Sequence, residues 1–241
     1  MNRALALAHL AAALGFAASP YLGDGFNGFR PDQFPVPQDN PPVQPAGYAF
    51  ALWGVIYLWL IAGAGYGLWR RADDAGWRPV RGPLSASLLI GAAWIPVANA
   101  SVPWATVMIW AMLVTALAAL VRAPIRDTAW LSGPVGLYAG WLTAASSVAF
   151  GLVLAGYGWT TQVTAAALAL LLALVIAGAV LLRLRPATPS YAVGVVWALI
   201  GVIVQNAGGG SGAILGLAAG GAVLVAVLGL SGLKRGGRPA R

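Results

Sequence analysis

The chain contains no cysteine, so disulfides and cysteine-ligated metals are excluded. It has one histidine, His9, and only six acidic residues against 14 Lys and Arg. Charged residues make up 8% of the chain, against about 25% in a soluble domain. So few charges cannot cover a surface in water. There is no Ser-His-Asp set, no metal-ligand cluster and no phosphate-binding loop, which leaves a hydrolase or kinase without its parts. The apolar segments carry no Asp, Glu, Lys or Arg, and proton relays and ion pathways usually mark themselves with such residues.

What is present is apolar: 60% hydrophobic residues and a mean hydropathy of +0.80. The runs are long enough for helices crossing a hydrocarbon core of about 30 Å. They do not alternate with period two, so a β-barrel is excluded. The pattern predicts an all-α transmembrane bundle of about eight spans. These fall near 3–21, 47–69, 84–101, 104–121, 129–156, 162–182, 189–206 and 213–231. The first segment also reads as a signal peptide, with Ala17-Ala18-Ser19 as a small-residue cleavage site. Retention and cleavage both leave the other spans with the same orientation.

With a cytoplasmic amino terminus, 13 of the 14 Lys and Arg fall on the cytoplasmic side, the exception being Arg30. This follows the positive-inside rule. It predicts two cytoplasmic termini, a basic tail (Lys234, Arg235, Arg238, Arg241) and an inner-membrane location in a bacterial cell. The 22–46 segment, with five prolines from Pro31 to Pro42, then lies outside as a lid.

The second span places Phe50, Trp53 and Tyr57 at spacings of three and four, one aromatic stripe on a helix. Orientation puts that stripe in the outer half of the membrane, beneath the 22–46 segment. Trp94 and Asn99 at the end of the third span, Trp104 at the start of the fourth, and Tyr138, Trp141 and Phe150 on the fifth complete the candidate ligand-binding set. An aromatic cavity under a polar lid suits a flat, largely apolar molecule held by stacking and burial. Interfacial anchoring is the ordinary role of membrane Trp and Tyr, and Trp69, Trp77, Trp130 and Trp159 are read that way. His9 is read first as a packed residue and second as an axial ligand for a haem-like metal. Arg30 belongs to the lid, pairing with Asp24 or Asp32 or else with a ligand carboxylate. Gly63-x-x-x-Gly67 and Gly216-x-x-x-Gly220 permit close helix approach within the chain, in a homodimer or against a partner.

Segments one to five resemble the TspO/translocator-protein family, the tryptophan-rich sensory proteins. Pro45, Trp53 and Tyr57 are similar to the proline, tryptophan and tyrosine of that family's second helix, with the same spacing of eight and four. Trp94-Ile95-Pro96 is similar to its Trp-x-Pro at the end of the third helix. Trp104 stands where the family has a ligand-facing tryptophan, and Pro134, Tyr138 and Phe150 look like the proline and aromatics of its fifth helix. Departures are Gly91 for an asparagine, Ala145-Ser146 for a leucine-asparagine pair, and Gly151 where the proposed cholesterol motif needs a basic residue.

The resemblance implies a five-helix core over residues 1–157, with 158–241 as three added helices and a tail. It also implies a non-enzymatic binding or sensory protein that takes a porphyrin, haem or related tetrapyrrole non-covalently. Two further classes stay open: a structural subunit of a larger, pigment-binding membrane complex, and a small-molecule transporter.

Overall fold

The structure, a computed structural model, describes residues 2–22, 25–124, 126–185 and 188–236, with side chains through 232. Asp24, Arg238 and Arg241, and the side chains of Lys234 and Arg235, lie outside the described residues.

Among the described residues nine α-helices follow one another: α1 Asn2–Ala18, α2 Leu52–Arg70, α3 Arg78–Ala92, α4 Trp94–Ala100, α5 Val102–Arg122, α6 Ser132–Gly156, α7 Gln162–Ala179, α8 Pro189–Ala207 and α9 Gly212–Gly236. No strand occurs among the described residues. Several starts are written locally. Prolines occupy the first turns of α3, α5 and α8, where an N–H has no helical partner. Thr161 caps α7, its Oγ1 accepting from Thr164 N at 3.2 Å. At the other end of α2 the buried Arg81 guanidinium donates to the carbonyls of Gly67, Arg71 and Ala72, satisfying acceptors that the helix terminus leaves open.

Among the described residues, seven helices are long and apolar enough to cross a membrane, and α3 with α4, bent by 41° at their junction, pass the same test as a pair. The chain is therefore an integral membrane helical bundle, as its composition predicts. The third span, expected as one helix over 84–101, is broken at Ala93. Pro96 is the cause: it has no N–H for the carbonyl of Ala92, and its ring crowds that oxygen. Span six also differs from expectation, since α7 ends at Ala179 and Val180–Leu184 continue as a π-helical turn.

The helices close into two rings that share α6. On one side the packing order runs α6, α5, α3, α1, α2 and back to α6. On the other it runs α6, α7, α9, α8 and back to α6. Consequently α6 is buried nearly all round, and its side chains are mostly small. The α6–α8 contact is a close one. A Cβ on Gly140 would run into the backbone of Tyr191, and one on Gly194 into that of Leu137. Thr143 Oγ1 and Tyr191 Oη hydrogen-bond at 2.8 Å across the same interface.

At the end of the bundle where α2 stops and α6 begins, polar groups tie the connections together. Arg71 meets Asp127 at 2.7 Å, and the Trp77 indole donates to the same carboxylate at 3.0 Å. Arg126 pairs with Asp74. Trp77 is thus buried inside this cluster rather than anchoring at an interface, whereas Trp69, Trp130 and Trp159 are exposed as the anchor reading expects. Gly63 and Gly67 pack within the chain, against Trp130 and Trp77, while Gly216 and Gly220 face open space.

Candidate functional site

A cavity of about 420 Å³ lies at the end of the bundle carrying the 22–46 segment. That is within the usual range for a small-molecule site. Its aromatic wall is built from three helices. Trp53 and Tyr57 project from successive turns of α2 and stack at 5.4 Å, 17° apart. Phe16 of α1 meets both edge-on, at 5.8 Å and 5.0 Å. Trp141 of α6 stands edge-on to Phe50 at 6.1 Å and to Trp53 at 6.0 Å. Edge-to-face pairs of this kind are favoured by the ring quadrupoles and hold one another in place.

The bend at Ala93 sets the next wall. It turns Trp94 so that its Nε1 donates to Ala105 O at 2.8 Å. Phe26 and Phe29, from the 22–46 segment, pack on the Trp94 ring at 4.6 Å and 6.2 Å. The segment itself is tied down at several points. Gln33 Nε2 donates to Ala98 O at 2.8 Å, Val36 N to Gly156 O at 2.8 Å, and Ala46 N to Gly201 O at 3.0 Å. Asn206 Nδ2 donates to Pro42 O at 2.8 Å. Phe34 packs on Gly156, where any side chain would collide with its ring.

The candidate residues divide into two groups. Phe50, Trp53, Tyr57, Trp94 and Trp141 all line the cavity. The other five do not line it. Tyr138 lies fully buried behind the wall, its Oη 2.9 Å from Ser87 Oγ. Asn99 fastens the segment instead, donating to Gly25 O at 3.3 Å. Trp104 is 65% exposed on the outside of α5, and Phe150 is half-buried on a face of α6 turned from the cavity. Arg30 pairs with Asp32 at 3.2 Å and stays in the open.

His9 is buried with its Nδ1 2.9 Å from Ser85 Oγ and does not reach the cavity. No group of three or more potential metal-ligating side chains occurs among the described residues.

Sequence reasoning missed Phe16, Phe26 and Phe29, and it missed the contribution of α7 and α8, whose aliphatic side chains wall the far part of the cavity. Phe26 and Phe29 sit in a segment without period, so nothing local indicates where their rings point. The ionisable side chains Asp, Glu, Lys, Arg and His are absent from the lining among the described residues. One polar atom stands out. The indole Nε1 of Trp141 is buried and has no hydrogen-bond partner, a costly arrangement for a donor unless an acceptor arrives.

A family model described as TSPO-like protein matches residues 34–231. The match begins within the 22–46 segment and runs through α6 into α9, so it includes α7 and α8. No curated protein and no solved structure matches the chain.

Proposed function

The chain belongs to the TSPO-like protein family, and from that premise we propose that it is a membrane ligand-binding or sensory protein whose cavity takes a flat, largely apolar molecule of the tetrapyrrole kind. The observation that carries this reading is the aromatic wall: Phe50, Trp53, Tyr57, Trp94 and Trp141 all line one cavity. Stacking on Trp53 and Tyr57 and burial against Phe16 supply the affinity. The charge distribution supports an orientation with the cavity and the 22–46 segment outside and both termini in the cytoplasm of a bacterial cell.

Titration of the purified chain with a porphyrin should quench tryptophan fluorescence saturably. Trp53→Ala should weaken binding by about tenfold or more, equivalent to about 1.4 kcal/mol. Absence of saturable quenching, or an affinity indifferent to Trp53, would sink this reading.

A second reading, an accessory subunit of a larger membrane complex, has one observation behind it. Gly216 and Gly220 offer a surface with nothing within 4 Å. Native mass analysis of the chain extracted gently from its own membrane decides it, and a monomer would count against it.

A further inference from the structure

The cavity continues past the aromatic wall into the second helix ring. There α7 and α8 sit diagonally, each packed on α6 and on α9. Ala169, Leu170 and Ala173 of α7 and Ala198, Leu199 and Val202 of α8 line this part. None carries a ring or a hydrogen-bonding group. Val43, Phe50, and Val148 and Leu152 of α6 line the same cavity.

The chemistry of the wall therefore changes along one cavity. One part offers faces for a flat ring. The other offers the methyl, isopropyl and isobutyl groups of Ala, Val and Leu. Protein interiors are normally filled to crystal-like density, and alanine-to-leucine changes at 173 or 198 would fill this space. An apolar void of this sort does not hold water well but does hold apolar ligand atoms. With no ionisable wall residue among those described, the buried portion of the occupant is uncharged.

We infer that the ligand is a two-part neutral amphiphile: a flat head among the aromatic side chains and an aliphatic chain against the α7 and α8 side chains that line the cavity. This rests on the ligand-binding reading above and narrows it to molecules that carry an aliphatic arm. It also assigns α7 and α8 a binding role that a five-helix site does not contain.

The test compares two esters of one chlorin, methyl and phytyl, by tryptophan quenching on the full-length chain in detergent. The phytyl ester should bind about tenfold tighter or more, since each buried methylene adds about 0.8 kcal/mol. Free phytol should compete with the phytyl ester and leave the methyl ester in place. Ala198→Leu and, on the other helix, Ala173→Leu should remove the advantage of the chain, bringing the two esters to equal affinity. Equal affinity of the two esters for the parent protein overturns this inference alone. So does a chain advantage that survives both substitutions and resists phytol, because it then reflects partition into detergent. If neither ester binds, the ligand-binding reading fails and this inference falls with it.

Discussion

Asp127 is a single residue with two tasks. Its φ of +58° places it in the left-handed region, which Asp and Asn tolerate better than other side chains. Its carbonyl accepts from Trp130 N and Leu131 N, both at 2.9 Å, which starts the turn into α6. Its carboxylate is held below the usual carboxylate range, chiefly by the hydrogen bond from Arg71 and then by that from the Trp77 indole. A carboxylate lowered in this way stabilises the fold at pH above its unfolded value, about 4, and the contribution disappears as pH falls through the lower folded value. Asp127→Asn keeps the backbone preference and removes the charge. It should lower the thermal midpoint in detergent by a few degrees at pH 7. It should also flatten the loss of stability seen in the parent below about pH 4. Thermal melts across pH check both, and an identical acid limb in the two proteins would remove Asp127 as its source.

Among the elements, the bent pair α3–α4 is the one whose shape matters most to the site. Pro96 interrupts the helix at Ala93, and the interruption turns Trp94 toward Ala105 and the rings of Phe26 and Phe29. Pro96→Ala restores a backbone donor and removes the clash with Ala92. The expected outcome is a straighter span, a thermal midpoint that does not fall, and ligand affinity reduced by about tenfold, since the wall carried by Trp94 is displaced. Fluorescence titration and melting of the same sample distinguish this from simple unfolding. A variant that binds as the parent does would show that the bend is incidental to the site.

The bend is half legible in the sequence. Trp94-Ile95-Pro96 is visible as a motif, and proline inside an apolar run is a known helix breaker. Where the bend points the Trp94 indole is not legible: its acceptor is Ala105, on the next helix. The same division runs through the aromatic set. Phe50, Trp53, Tyr57 and Trp141 share helical faces at spacings that sequence displays, and all four line the cavity. Trp104 and Phe150, chosen by depth and by the family pattern, do not line it. Helical period defines a face without saying what the face looks at.

At the scale of the whole molecule, orientation is the outstanding prediction. A phosphatase reporter fused after Arg241 should be inactive and a fluorescent reporter there should be bright. Insertion of a periplasm-active reporter within 37–40 should behave in the opposite way. Matching signals at the two positions would overturn the assignment of both termini to the cytoplasm. The arrangement of the helices also bears on how the chain divides. α6 belongs to both rings, and the cavity is lined from both sides of it.

Sequence alone determined that this is a helical membrane protein, where its spans lie within a few residues, and which end holds the basic charge. Those properties follow from composition, run length and charge placement, each of which is local along the chain. Only the tertiary structure decided that α6 is shared by two rings and that α7 and α8 reach the cavity. It also left the Trp141 N–H without an acceptor. The reason is physical: in an apolar bundle nearly every helix face is hydrophobic, so hydropathy does not distinguish a face that meets lipid from one that meets another helix or a ligand. Small residues make that choice by allowing close approach, as Gly140 and Gly194 do between α6 and α8. Their effect exists only once two helices are brought together.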